Sequence, residues 1–224
     1  MIKLKFIVIG ESTVGKTSLI TQFNINEFTE DYILTVGTDK IIKEIEINDQ
    51  KIEMEIWDTI GQKDLRNANK IFMKNTNIAL IVYDITNRQS FEKLNFWINL
   101  VKEVNENRNL IIGIAANKSD LYENTEVNKE EGEEYAKNIN ALFFESTAME
   151  HENVVNIFEE LIKAYIDKFD LKEKKQINSL NNNYNQFDMI NTCENNNAHY
   201  DCIEENIPNY KDKNCCCALK CNIL

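Results

Sequence analysis

GESTVGKT, residues 10–17, follows the apolar run KLKFIVI (3–9) and opens a helical pattern, and that placement decides the fold. The segment fits G-x-x-x-x-G-K-[ST], a loop that cradles phosphates. Gly10 and Gly15 let the backbone wrap with its N–H groups inward, and the following helix adds its positive N-terminus. Lys16 is a point charge suited to β- and γ-phosphates, and Thr17 offers a hydroxyl to Mg2+. Ser12, Thr13, Val14 and Ser18 complete the candidate nucleotide-binding set of this loop. A tight turn that binds nothing would give no reason for a lysine between that glycine and a threonine.

Outward from the loop, short apolar runs alternate with helical patterns. NIALIVY (77–83) and LIIGIAA (110–116) have the signature of strands buried on both faces. From Ser90, SFEKLNFWINLVKEV places Phe91, Leu94, Trp97, Ile98 and Val101 at helical spacing, with Ser90 as the expected cap. ENVVNIFEELIKAYI does the same through Val154, Ile157, Phe158, Leu161 and Tyr165. IIKEIEI and KIEMEIW alternate around Asn48-Asp49-Gln50, which predicts an antiparallel hairpin. The expected fold class is α/β: a doubly wound, mostly parallel sheet with one antiparallel strand, its ligand at the carboxyl ends of the strands.

The apolar patterning stops near Lys168, so residues 1–170 are expected to form one domain. Residues 171–214 are asparagine-rich and without period, too poor in apolar clusters to offset their ordering entropy, and are expected to be disordered. Residues 215–224 form a closing segment of their own. All six cysteines (Cys193, Cys202, Cys215, Cys216, Cys217 and Cys221) lie in the last part of the chain, so the body is thiol-free, as suits a reducing compartment. MIKLKFIVIG has its apolar run broken by Lys3 and Lys5, and no secretory leader is expected. Lys+Arg 25 against Asp+Glu 37 gives a net charge of −12, which argues against nucleic acid as the main partner.

The run 110–116 ends in NKSD, and this loop bears on the base. Asp120 can accept from both N1–H and the 2-amino group of guanine, a donor pair that adenine lacks. Asn117 can tie this loop to the phosphate loop, and the Lys118 stem can lie along the base. A nucleotide kinase sharing the phosphate loop would need lid arginines and would leave NKSD unexplained.

With these motifs the chain resembles the Ras superfamily of small GTPases, over residues 3 to about 168. WDTIGQ (57–62) resembles the family's W-D-T-A-G-Q. The resemblance implies that Asp58 serves Mg2+ through water, that the Gly61 N–H meets the γ-phosphate and that Gln62 orients the attacking water as the catalytic residue. FTEDYILTVG resembles the first switch, where Thr35 would close on Mg2+ and Phe28 lie against guanine. ESTAM resembles E-T-S-A-K, implying Thr147, Ala148 and Met149 at the base. GTP and GDP are then the ligands, Mg2+ the cofactor (Thr17, Thr35, Asp58), and GTP hydrolysis the reaction. Within the superfamily the chain is most similar to Rab GTPases, which implies vesicle traffic. Two other readings stand beside it: an interaction module with very weak hydrolysis, and a Ras-like signalling GTPase.

Implied partners are an exchange factor, a GTPase-activating protein, effectors and a prenyl-binding carrier, with the chain a monomer. Several positions depart from the family. Thr13 and Ile60 replace a glycine and an alanine beside the γ-phosphate, Lys63 replaces a glutamate, and Met149 a lysine. The aromatic triad read by Rab effectors maps to Lys40, Trp57 and Phe72, and Asn67-Ala68-Asn69 is atypical for the second switch.

Cys221-Asn222-Ile223-Leu224 fits a C-a-a-X box whose terminal leucine favours geranylgeranyl. One lipid chain anchors marginally, so Cys215, Cys216 and Cys217 are candidates for S-acylation as the second signal. The expected location is the cytoplasmic face of an internal or plasma membrane, with a cytosolic pool. A zinc site from the tail cysteines and His199 is disfavoured, because the spacing matches no finger pattern. His151 is expected to be a solvated loop residue.

Overall fold

The computed structural model describes residues 1–25, 39–47, 50–59, 72–105 and 109–169. They belong to one unit, Met1–Phe169. In chain order the elements are β1 (Ile2–Gly10), α1 (Lys16–Ile25), β2 (Asp39–Ile47), β3 (Gln50–Asp58) and β4 (Ile78–Asp84). Then come α2 (Arg88–Glu92), α3 (Leu94–Val104), β5 (Ile111–Asn117), a 3-10 turn (Ser119–Asn124), α4 (Lys129–Asn138) and β6 (Leu142–Glu145). A last helix, α5, covers 151–169.

The sheet has six strands in the order β2-β3-β1-β4-β5-β6. β2 pairs antiparallel with β3, and every other neighbouring pair is parallel. The expected hairpin is therefore present, with Gln50 already inside β3 and opposite Ile47. After β1 the chain crosses to one side of the sheet, and after β3 it returns to the other. The carboxyl end of β1 is thus a topological switch point, the place where such sheets hold ligands.

The apolar runs read as they do because helices cover both faces. Leu4, Phe6 and Val8 of β1 and Ile78, Leu80 and Val82 of β4 pack against Leu19, Ile20 and Phe23 of α1 and against Phe158 and Leu161 of α5. On the other face Ile7, Ile9, Ala79, Ile81 and Tyr83 meet Leu94, Trp97, Ile98 and Val101 of α3. All seven residues of β4 are buried, which is why that stretch shows no alternation. Each large side chain so placed contributes about 1.5–3 kcal/mol of transfer free energy. A stack of three rings pins α5 across α1 and β1: Phe158 lies 4.7 Å from Phe6 and 4.1 Å from Phe23.

The helix expected from Ser90 differs in its start. It begins at Arg88, its N-cap is Asn87, and the Asn87 side chain accepts from the Gln89 and Ser90 amides. Ser90 is buried and employed elsewhere. Its hydroxyl accepts from the Asp84 N–H at 3.0 Å and donates to the Asn87 carbonyl at 2.7 Å, closing off the end of β4. A serine committed to a neighbouring strand cannot also cap its own helix.

Candidate functional site

Residues 11–15 turn from β1 into α1, and the turn is crowded enough to need its glycines. A Cβ at Gly10 would sit 2.2 Å from the Val82 carbonyl oxygen. Gly15 has φ +95°, and a Cβ there would lie 2.3 Å from Asn117 Nδ2. Thr13 is also left-handed, at φ 68°. A β-branched residue in that region costs about 1–2 kcal/mol relative to glycine, so the loop is held by its surroundings.

Lys16 begins α1 and is buried. Its ammonium donates to the carbonyls of Gly10 (3.2 Å) and Glu11 (2.7 Å). Burial pushes its pKa down to about 8, against the opposing pull of Asp58 and Glu11. Beside it the Thr17 hydroxyl donates to Asp58 Oδ2 at 2.6 Å, across from the end of β3 to α1. Asp58 is buried, and the next residue, Thr59, donates to the Val8 carbonyl at 2.8 Å, fixing the end of β3 against β1. A hydroxyl and a carboxylate beside an ammonium form a hard-oxygen set that fits Mg2+.

The ends of β5 and β6 close the other side. Asn117 is buried, and its Nδ2 donates to the Val14 carbonyl at 2.8 Å, the expected tie between the base loop and the phosphate loop. Ser146 Oγ donates to Asn117 Oδ1 at 3.1 Å and so fixes the amide's orientation. Thr147 Oγ1 donates to Asp120 Oδ1 at 2.6 Å, while its own N–H is held by Asn153 Oδ1 at 3.1 Å. Ala148 is buried, and Met149 beside it is exposed. The Lys118 backbone is left-handed at φ 65°, and its ammonium pairs with Asp84 Oδ2 at 2.5 Å.

The structure thus brings Gly10, Ser12, Thr13, Val14, Gly15, Lys16, Thr17, Ser18, Asp58, Asn117, Lys118, Asp120, Thr147, Ala148 and Met149 to the carboxyl edge of the sheet. Phe28, Thr35, Ile60, Gly61, Gln62, Lys63, Asn67-Ala68-Asn69, His199 and all six cysteines lie outside the described residues. Of the three positions aligned with the aromatic triad, Trp57 and Phe72 touch at 5.2 Å, and the Lys40 ammonium lies 5.7 Å over the Trp57 ring. His151 is not a solvated loop residue as expected: it opens α5, is half-buried, and places Nδ1 3.0 Å from the Gln22 carbonyl.

Asp84, Ser146, Asn153 and the pair Glu11–Trp97 escaped the sequence reading. Asp84 alone left a signal, a carboxylate ending an otherwise apolar strand.

A strand, a glycine-bracketed loop and a helix at the switch point, joined by a second loop from β5, define a nucleotide-binding protein of the phosphate-loop class. The Ras family model matches residues 5–167. The chain belongs to the Ras family, and it is a small GTPase, a protein that binds GTP and GDP.

Proposed function

We propose that the chain is a membrane-anchored, Rab-like switch that binds GTP or GDP with Mg2+, hydrolyses GTP slowly and acts in vesicle traffic. The observation that carries the nucleotide reading is the joining of the base loop to the phosphate loop. Asn117 holds the Val14 carbonyl at 2.8 Å, and Thr147 holds Asp120 Oδ1 at 2.6 Å. In this reading Asp120 accepts from guanine and the Lys118 stem flanks the ring. The Ala148 N–H faces the guanine oxygen. Lys16 gives up its carbonyl partners for phosphate oxygens, which offer its buried charge a better counterpart.

Thr17 and Asp58, with Thr35, would hold Mg2+, which when bound neutralises phosphate charge. Gly61 would donate to the γ-phosphate and Gln62 would orient the attacking water. The loop from Gly10 to Thr17 contains no arginine to stabilise the transition-state charge in cis. An activating protein would supply it. Single-turnover hydrolysis on the pure protein is therefore expected on the order of 10⁻⁴ to 10⁻³ per second, the range of a family member. A fast rate with no partner present would contradict the dependence on an activator.

The Rab assignment is supported by the sequence segments around both switches and by the cysteine-ended tail. Effectors would read the surface at Lys40, Trp57 and Phe72. Residues 171–214 would act as a tether and Cys221 as the prenyl site, with Cys215, Cys216 and Cys217 available for acylation. Cys221→Ser is expected to move the protein from the membrane pellet to the soluble fraction of fractionated cells. Pelleting like the unsubstituted protein would refute the anchor.

One observation favours a second reading, that of a nucleotide-holding module with very weak turnover: Thr13 adds a β-branched side chain to a left-handed loop position. Phosphate release on adding a cell extract to the GTP-loaded protein would dismiss it.

A further inference from the structure

We propose that Trp97 is a positioning residue for the phosphate loop, whose contact with Glu11 sets how fast the nucleotide leaves. Trp97 lies on α3 and is 1% exposed. Its indole N–H donates to Glu11 Oε1 at 3.1 Å, across 86 residues of sequence. The indole belongs to a buried side chain, so losing the contact costs the donor its protein partner. Glu11 is the first residue after Gly10 and is held from both ends. Its carbonyl accepts from the Lys16 ammonium at 2.7 Å, and its carboxylate accepts from the indole.

The two ends differ in what a nucleotide does to them. Phosphate draws the Lys16 ammonium away from the Glu11 carbonyl, whereas the indole contact lies on the side facing α3 and persists. In the loaded protein, Trp97 anchors the entrance of the loop and Asn117, through the Val14 carbonyl, anchors its far side. Between the two anchors sits Thr13 at φ 68°, a conformation the loop does not keep unaided. An anchor at one end alone would leave the strained segment free to relax, and the amides aimed at phosphate would scatter with it.

The inference rests on the guanine-nucleotide reading above. The test is the dissociation rate of fluorescently labelled GDP from the full chain with Mg2+, chased by excess GDP. Trp97→Phe and Glu11→Leu are each expected to raise the rate about tenfold, the measure of one charge-assisted hydrogen bond. Glu11→Gln keeps an acceptor oxygen and is expected to stay within about twofold of the unsubstituted chain. The double substitution Trp97→Phe with Glu11→Leu is expected to release GDP no faster than either single one.

Singles at the unsubstituted rate would overturn the proposal. So would a double substitution whose effect is the product of the singles, since that would make Trp97 a packing residue acting apart from Glu11. If circular dichroism shows Trp97→Phe unfolded, the contrast between leucine and glutamine at position 11 decides alone, because that residue lies outside the core clusters. Failure of the unsubstituted chain to retain GDP at all would count against the nucleotide reading itself and is seen before any variant is made.

Discussion

Asp120→Ala should weaken GDP binding about a thousandfold and remove most of the preference for guanine over adenine. The carboxylate is placed to accept two hydrogen bonds from one edge of guanine, each worth about 1.5–3 kcal/mol when the acceptor is charged. Together they amount to about 3–6 kcal/mol, or roughly 10² to 10⁴ in affinity. The group is positioned before any ligand arrives, by Thr147 Oγ1 at 2.6 Å and, behind it, by Asn153, which holds the Thr147 N–H and donates to the Glu145 carbonyl. Asp120 is itself exposed, so the alanine variant should keep its urea midpoint nearly unchanged. Affinity and stability are thus expected to separate, and a fluorescent-GDP titration beside a urea melt checks both. Unchanged GDP affinity would remove Asp120 from the base site.

Gly15→Ala should act at the junction of the phosphate loop with Asn117 and damage both properties. Position 15 has φ +95°, which already disfavours any side chain, and the added methyl would meet Asn117 Nδ2 at 2.3 Å. An asparagine at the surface would swing aside. Asn117 is 1% exposed and bound at both ends of its amide, to the Val14 carbonyl and the Ser146 hydroxyl. Displacing it leaves buried polar groups unpaired at about 1–3 kcal/mol each, in addition to about 1–2 kcal/mol of backbone strain. The expected outcome is a fall in GDP affinity of at least about a hundredfold with a loss of about 3–5 kcal/mol in unfolding free energy. Asn117→Ala opens the space the methyl needs, so the pair of substitutions should be less harmful than the sum of the two. Additive losses would show that the alanine acts through the backbone alone.

The parts of this fold that sequence reveals are those where one residue type has one use. β4 and β5 are buried on both faces, so their runs of apolar residues admit little but strands. Gly10, Gly15 and Lys16 announce their loop because few other structures need that combination at that spacing. α4 went unread for the opposite reason. KEEGEEYAKN carries six charged residues in ten and buries only Gly132 and Ala136, with the glycine sitting where a Cβ would meet Tyr83 and Phe143. β6 is four residues long and only half-covered, too short and too exposed for a clear period.

The supporting residues of the site are hidden for another reason: their partners are distant in sequence. Asp84 and Lys118 meet because β4 and β5 lie side by side with Asp84 opposite Asn117. Glu11 and Trp97 meet because α3 packs beneath the loop that follows β1. No motif encodes such a pair, and only the sheet order brings its members together. Ser90 illustrates the residue with two plausible uses: as a cap it satisfied the local pattern, and the fold spends it on Asp84 instead.

The most direct measurement of the central claim is displacement of fluorescent GDP from the full-length chain in the presence of Mg2+. Unlabelled GDP and GTP should displace it at near-stoichiometric concentrations, while ADP and ATP should fail at about a thousandfold excess, because adenine lacks the donor pair that Asp120 accepts. Equal displacement by adenine and guanine nucleotides, or no binding of fluorescent GDP at all, would contradict the account.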